Sequence, residues 1–190
     1  MIKIGILGDI GSGKSFIAKH FGYPVFNADE EVSKLYKKDI KIFNKLKKIL
    51  PKHITQFPIS KIEISNAILA NNLNLKKIVK IIHRKIRDKL RIFLKRNKNR
   101  GIVILDVPLL LENRINKKND ILVFVQSNKS EVLKRLKKRK NFNHNLYLKF
   151  KKIQLPLEFK KKKSDFVIKN NFKKKTIRKH VNIILKEILQ

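Results

Sequence analysis

The chain has 190 residues and no cysteine, so it suits one domain, or one domain with a small insertion, and it excludes disulfides and thiolate metal sites. No apolar stretch approaches the ~20 residues that span a bilayer, and the run Ile2–Leu7 is too short for a secretory signal, so we expect a cytoplasmic protein without membrane association. The formal net charge of +34 makes a polyanion one candidate partner.

Apolar runs rich in β-branched residues predict five strands, at Ile2–Leu7, Pro24–Phe26, Ile102–Leu105, Ile121–Val125 and Phe166–Ile168. Helical periodicity predicts helices at Ser15–Phe21, Glu30–Tyr36, Ile40–Leu50, Leu75–Leu94, Lys129–Lys138 and Thr176–Leu189. Because strands alternate with helices, we expect an α/β fold in which a parallel five-stranded sheet is flanked by helices. Such sheets bind their ligands at the carboxyl ends of the strands.

The stretch between the second and third predicted strands does not alternate. It predicts several helices with breaks near Pro51 and Pro58, and we interpret 35–99 as a helical insertion. The segments 1–34 and 100–190 then form the nucleotide-binding core, with a polar lid at about 137–145. The long basic helix of the insertion carries one apolar face, formed by Ile78, Ile81, Ile82, Ile86, Leu90 and Phe93.

The residues GDIGSGKS, Gly8–Ser15, follow the first predicted strand and lead into the first predicted helix. They form a phosphate-binding loop, G-x-x-x-x-G-K-[ST], whose glycines let successive N–H groups turn inward on a polyphosphate. The start of the helix adds free N–H groups and the positive end of its dipole. We therefore expect Lys14 to reach the β- and γ-phosphates of a bound nucleoside triphosphate and Ser15 to hold Mg²⁺.

Carboxylates follow the second and third predicted strands. Asp29 ends FNAD and is either a general base for an attacking hydroxyl or the N-cap of the next helix. Asp106 closes IVILD and is either a carboxylate that holds Mg²⁺ or a polar strand end. In VPLLLEN, Pro108 and Glu112 fall beside the expected site, where Glu112 either orients substrate or a magnesium-bound water, or supports the start of a helix.

Three basic side chains are further candidates. Arg135 and Arg139 lie four residues apart on a predicted helix and so share a face, from which either could neutralise charge on a transferring phosphoryl group or simply decorate the surface. Arg139 is the stronger candidate because it lies where the helix meets the lid. His83 in IIHRKI is either a packed or solvated helix residue or a functional one.

Taken in order, these segments resemble the dephospho-coenzyme A kinase family over nearly the whole chain. The P-loop is common to many NTPases, whereas the combination of IGSGKS, AD and PLLLEN is specific. The resemblance is carried by LGDIGSGKS, FNAD at Asp29, IIH at His83, LDVPLLLEN at Glu112, LKRLKKR at Arg139, Gln154 and SDFVIKNN at 164–171.

The resemblance implies transfer of the γ-phosphoryl group of ATP to the ribose 3′-hydroxyl of dephospho-coenzyme A, with Mg²⁺. It also implies an architecture similar to adenylate kinase, in which the insertion 35–99 binds the coenzyme A substrate. It implies that Asp29 is the base, that Lys14 and Arg139 act on the transferring phosphoryl group, and that His83 contacts the coenzyme A substrate. The nucleotide-binding residues implied are Asp9, Ile10, Gly11, Ser12, Gly13, Lys14, Ser15, Phe16 and Asn170. The substrate-binding residues implied are Asp29, His83, Pro108, Leu109 and Glu112, and the magnesium ligands are Ser15 and Asp106.

The sequence departs from the family pattern at four positions. Asp9 replaces the second glycine of GGIGSGKST, Phe16 replaces its threonine, Asn27 replaces the first acid of DAD, and Arg84 replaces the proline of HP. Weaker nucleotide binding is therefore one expectation, and a non-catalytic nucleotide binder is an alternative. A second alternative is another small-molecule P-loop kinase that acts on a nucleotide or nucleoside.

The positive charge leaves a third alternative, a nucleic-acid-binding NTPase. The basic residues are spread along the chain, apart from short runs such as 160–163 and 173–175, and the chain is rich in residues with A/T-rich codons (Lys, Ile and Asn). Compositional drift on a solvated surface and a selected polyanion surface both remain open. We expect ATP and dephospho-coenzyme A as partners rather than nucleic acid, and a monomer or weak oligomer.

Overall fold

The computed structural model describes all 190 residues. The strands are β1 (Ile2–Gly8), β2 (Val25–Asn27), β3 (Ile102–Asp106), β4 (Ile121–Gln126) and β5 (Phe166–Lys169). They form one parallel sheet in the order β2-β3-β1-β4-β5. All five predicted strands and the parallel α/β fold are confirmed, and each strand ends within one residue of its predicted position.

Nine helices accompany the sheet, and they include all six that the periodicity predicts. Their bounds are α1 (Lys14–His20), α2 (Ala28–Lys38), α3 (Ile40–Ile49), α4 (Lys61–Ala70), α5 (Asn72–Arg96), α6 (Lys129–Lys137), α7 (His144–Lys152), α8 (Leu157–Lys162) and α9 (Lys174–Leu189). The helices α4, α7 and α8 were not predicted individually. None of the nine combines the length and the apolar composition that a membrane span requires.

The chain divides into two compact units, of which the first comprises residues 1–27, 96–142 and 150–190 and contains the sheet. Successive side chains of β1 point to opposite faces, and Ile4 and Ile6 are fully buried in a core that includes residues of α1 and α9. On the other face, the side chain of Leu110 packs against Gly5, and a Cβ at this glycine would lie only 2.6 Å from it. Both faces of this central strand are therefore covered, as its largely apolar sequence requires.

The second unit comprises residues 28–95 and 143–149 and is helical. The buried positions of α5 include Ile78, Ile82, Ile86 and Leu90, a spacing of four residues that forms one stripe along the helix. Two ion pairs add to the unit, Lys85 with Asp39 at 3.7 Å and Lys89 with Glu31 at 3.4 Å. The boundaries predicted for a substrate-binding insertion, 35–99, and for a lid, 137–145, stay predictions.

Candidate active site

The phosphate-binding loop connects the carboxyl end of β1 to the first turn of α1, which begins at Lys14. Gly11 and Gly13 have φ angles of 79° and 90°, a region that L-residues with side chains rarely adopt. A Cβ at Gly13 would lie 2.4 Å from Nδ2 of Asn170, and one at Gly11 would lie 2.9 Å from the side chain of Leu136. Backbone conformation and close packing therefore both require glycine at these two positions.

Two side chains that follow neighbouring strands anchor the phosphate-binding loop, since both donate a hydrogen bond to the same backbone carbonyl. Nδ2 of Asn170 donates to the carbonyl oxygen of Ser12 at 2.7 Å, and Oγ of Ser127 donates to the same oxygen at 2.9 Å. Asn170 is buried, and its Oδ1 accepts the backbone N–H of Phe172 at 2.8 Å. The structure thus places Asn170 against the phosphate loop itself, while its contact with the nucleotide stays a prediction.

Replacing Asn170 with alanine is expected to raise the KM for ATP about tenfold and to lower the free energy of unfolding by about 1–3 kcal/mol. The Ser12 carbonyl loses one of its two donors, and the backbone N–H of Phe172 loses its acceptor. Kinetics at varied ATP and urea denaturation measure the two effects. Asn171→Ala is the matched control, since the Asn171 side chain is exposed and bonds only locally, to Lys173 and Thr176. Equal effects of the two substitutions would contradict this role for Asn170.

The ammonium group of Lys14 lies over the loop backbone. Its Nζ donates to the carbonyl oxygen of Asp9 at 2.7 Å and to that of Gly8 at 3.4 Å. Phe16, in the same turn, packs against the hydrophobic core and lies 4.3 Å from the ring of His20, centroid to centroid. The backbone of residue 16, and not its side chain, is therefore the part that can meet a phosphate.

Asp106 ends β3, the strand that lies between β1 and β2. The carboxylate is buried, and its Oδ2 accepts Nδ2 of Asn27, the residue opposite it on β2, at 2.7 Å. An ionised aspartate at position 27 could not donate this hydrogen bond, so the departure from the family pattern is compensated within the sheet.

The oxygen groups here fit magnesium. Mg²⁺ prefers oxygen ligands and is usually held by one or two protein groups together with substrate phosphates and water. Asp106 offers a carboxylate, and Ser15 offers an exposed hydroxyl in the first turn of α1. No group of three or more histidine, cysteine, aspartate or glutamate residues in the chain could hold a metal by itself. A site completed by the nucleotide is consistent with both observations.

Asp29 lies in the first turn of α2, directly after β2 in the chain, and it is exposed. The helix begins at Ala28, so Asp29 is a helical residue and not the N-cap that the alternative interpretation required. Glu30 and Glu31 share this first turn, where the positive end of the helix dipole favours carboxylates. An exposed carboxylate directly after a strand is placed where it can accept a proton.

The segment that contains VPLLLEN forms turns rather than a helix, so Glu112 does not support a helix start. Leu109 has a φ of 59°, a strained angle for a residue with a side chain, and Pro108 beside it is half-buried. Glu112 is held tightly, since its Oε1 accepts the backbone N–H of Leu155 at 2.9 Å and pairs with Nζ of Lys160 at 2.6 Å. Its Oε2 is buried without a hydrogen-bond partner, as is Oε1 of Gln154.

The ion pair between Glu112 and Lys160 is buried, with side-chain exposures of 10% and 3%. Removing one member leaves the other charge without compensation, so we expect Lys160→Met to lower the free energy of unfolding by about 3–5 kcal/mol. Urea denaturation measures this loss. The control is Lys162→Met on the same helix, because Lys162 is exposed. A loss below about 1 kcal/mol for Lys160→Met, the level of a surface pair, would show that the pair is not a buried anchor.

The two candidate arginines do not share a helix face, contrary to the prediction. The helix α6 ends at Lys137, and Arg139 follows it, exposed, with its N–H bonded to the carbonyl of Leu136 at 3.0 Å. The guanidinium of Arg135 lies over the ring of Phe172, 4.0 Å from its centroid. Arg135 is thus engaged in a cation–π contact, and Arg139 is the arginine in the predicted lid.

His83 belongs to α5 in the helical unit and is half-buried. Burial lowers the pKa of His83, and the nearby guanidinium of Arg87 lowers the pKa further. The imidazole is therefore mainly neutral at pH 7, which suits a hydrogen-bonding role better than an anion-binding one.

Sequence reasoning missed three side chains that this site uses: Ser127, Lys151 and Lys160. Ser127 directly follows β4, so its place at a strand end was a readable signal. The two lysines gave no such signal, because they are hidden among 48 basic residues. Lys151 donates to the carboxylate of Asp9.

The sequence comparisons indicate one family. The family model described as dephospho-CoA kinase matches residues 2–176. The dephospho-CoA kinase of Wolbachia sp. subsp. Brugia malayi is 36% identical over 191 aligned residues, covering 98% of this chain and 95% of that protein. The dephospho-CoA kinase of Rickettsia prowazekii is 34% identical, covering 99% and 98%.

Solved structures match the fold. TT1252 from Thermus thermophilus superposes with a TM-score of 0.81 at 24% identity, covering 100% of this chain and 98% of that one. The dephospho-CoA kinase from Campylobacter jejuni superposes with a TM-score of 0.65 at 21% identity, covering 98% and 96%. At these identities the structural matches establish the fold, and the sequence matches establish the family.

Proposed function

The chain belongs to the dephospho-CoA kinase family and has that activity, and from this premise we propose which of its residues perform the reaction. The loop 8–15 binds the phosphates of ATP, Asp29 is the base, and Lys14 and Arg139 stabilise the transferring phosphoryl group. The observation that carries this proposal is the grouping at the sheet edge, where the Lys14 ammonium lies on the loop and Asp106 ends the next strand.

The reaction transfers the γ-phosphoryl group of ATP to the ribose 3′-hydroxyl of dephospho-coenzyme A. The 3′-oxygen forms a bond to the γ-phosphorus while the bond from that phosphorus to the β–γ bridging oxygen breaks and ADP leaves. Asp29 accepts the hydroxyl proton, a role supported by its exposed carboxylate in the first turn of α2. The products are coenzyme A and ADP.

The protein contributes mainly alignment and charge neutralisation. The Lys14 ammonium is close to the loop backbone and can exchange its carbonyl contacts for phosphate oxygens. Arg139 approaches the same group from the segment between α6 and α7, where closure of the predicted lid would exclude water as a competing acceptor. When bound, Mg²⁺ neutralises charge on the phosphate oxygens, and Ser15 and Asp106 are the residues that we propose to hold it.

We further propose that the coenzyme A substrate is contacted by Asp29, His83, Pro108, Leu109 and Glu112. The strained backbone at Leu109 supports this, because such strain is common at ligand-binding segments. For Glu112, support comes from the buried oxygen that lacks a partner. The neutral imidazole of His83 can donate or accept one hydrogen bond from each ring nitrogen.

A substrate panel tests the proposed function. Dephospho-coenzyme A, nucleoside monophosphates and shikimate are each offered with ATP and Mg²⁺, and ADP release and the phosphorylated product are measured. Rapid turnover with dephospho-coenzyme A alone, giving the 3′-phosphorylated product, is the expected result. Preference for a nucleotide would favour another small-molecule kinase. Turnover that ignores every acceptor, with tight and salt-dependent binding to DNA or RNA, would favour a nucleic-acid-binding NTPase.

A further inference from the structure

Asp9 places a carboxylate inside a loop whose amides bind anions. The side chain is 16% exposed, and its Oδ1 accepts two hydrogen bonds, from the backbone N–H of Ile10 at 2.7 Å and from Nζ of Lys151 at 2.5 Å. The backbone oxygen of the same residue accepts Nζ of Lys14 at 2.7 Å. Two ammonium groups therefore converge on one residue of the phosphate loop.

The electrostatic consequence of an unpaired carboxylate here is unfavourable. A triphosphate bound to the loop would lie close to Asp9, and like charges at short range in a partly buried site repel each other strongly. An ammonium group bonded to the carboxylate cancels most of this repulsion, and charge-assisted hydrogen bonds of this length are the strong kind. The bond to Ile10 also holds the carboxylate in one position.

We propose that Lys151 is a positioning residue that acts through Asp9. By neutralising the Asp9 carboxylate and holding it against the N–H of Ile10, Lys151 lets a loop with an acidic second position bind the phosphates of ATP. The inference rests on the proposed function, because it takes the loop 8–15 to be the ATP site. It assigns to α7, near its end, a part in nucleotide binding that no sequence motif indicates.

The partial exposure of the pair determines where its effect should appear. The Lys151 side chain is 34% exposed, so solvent screens the pair and its contribution to folding stability is small. Its contribution to ATP binding is larger, because the phosphates approach the charge that Lys151 cancels. A merely structural contact would have the reverse effect and would change stability more than affinity.

A double-mutant cycle at positions 9 and 151 tests the inference. Lys151→Met is expected to raise the KM for ATP and the calorimetric Kd for ATP about tenfold, which corresponds to about 1.4 kcal/mol, with kcat within about twofold. Asp9→Asn keeps an oxygen for the N–H of Ile10 and removes the charge, so the double variant is expected to return within about threefold of the wild-type affinity. Lys151→Arg keeps the charge and should bind ATP within about twofold of the wild type.

Lys152→Met is the matched control, because Lys152 is the next residue of α7 and is exposed. This substitution should leave the KM and the Kd for ATP within about twofold of the wild-type values, as expected for a screened surface charge. If Asp9→Asn fails to fold, Asp9→Gly replaces it, since glycine is the usual residue of the family at this position. Circular dichroism melts of every variant confirm that affinities are compared between folded proteins.

Two results would overturn this inference and leave the proposed function intact. One is an unchanged ATP affinity in Lys151→Met; the other is an equal loss in the Asp9→Asn background, which would mean that Lys151 contacts the nucleotide directly. Failure of the proposed function is distinguishable, because wild-type protein would then bind no ATP, or Lys14→Met would bind it as well as the wild type. That outcome would contradict the assignment of the loop 8–15 as the ATP site, and the inference about Lys151 would fail with it.

Discussion

Replacing Asp29 with asparagine is expected to reduce kcat by about 10²–10⁴-fold, the usual contribution of a positioned general base, while ATP binding stays within about twofold of normal. Asparagine matches the size of aspartate but cannot accept a proton at neutral pH, so the substitution removes the proton acceptor and leaves the size of the side chain unchanged. ATP binding is spared because Asp29 lies in α2, outside the loop 8–15. Steady-state kinetics and calorimetric titration with ATP measure the two quantities separately.

The control for this substitution is Glu30→Gln. Glu30 is the next residue of the chain, shares the first turn of α2 with Asp29, and is also exposed. Its loss removes the same charge from the same helix end, so any general electrostatic effect appears in both variants. Near-normal turnover of Asp29→Asn, or an equal loss in Glu30→Gln, would remove Asp29 from the role of base.

Replacing Lys14 with methionine is expected to lower kcat by about 10²–10³-fold, the cost of removing one positioned group that stabilises transition-state charge. The ammonium interacts more strongly with the phosphoryl group as charge develops on its oxygens, so kcat falls in addition to ATP affinity. Lys14→Arg should recover only part of the loss, because a planar guanidinium cannot occupy the position of a compact ammonium. Single-turnover measurements at saturating ATP isolate the chemical step from binding.

Lys19→Met is the matched control, since Lys19 lies on the same helix and is exposed. It removes one positive charge from the last turn of that helix, so it reports any general effect of charge. Turnover of Lys14→Met within about tenfold of normal would contradict the role of Lys14 in phosphoryl transfer.

Much of the fold could be predicted because its signals are local. Each strand of the sheet carries an apolar run that is followed by a polar residue or a glycine, and the loop between Gly8 and Ser15 carries its own conformational requirements. The capping box that begins α4, Ser60 with Glu63, is an equally local signal that the periodicity reading overlooked.

The two other missed helices lack such signals. The helix α7 has no buried residue, so no apolar stripe marks it, and α8 spans only six residues, fewer than two turns. The helix α6 was correctly predicted, but its end at Lys137 separates Arg139 from it. Helix ends depend on the competition between local hydrogen bonds and the packing of the whole chain, and periodicity describes neither.

The sequence by itself determined the parallel sheet, the phosphate loop and the family, because each of the motifs that indicate them is formed by residues close together in the chain. Only the tertiary structure decided the partners of the site residues. Asp9 and Lys151 are 142 positions apart, and Asn170 lies 158 positions from Ser12, yet each pair is hydrogen-bonded. The strand order β2-β3-β1-β4-β5 brings distant strand ends together at one edge of the sheet. With 48 basic residues in the chain, no pattern could show which lysine meets Asp9 or Glu112, because only folding selects among chemically identical partners.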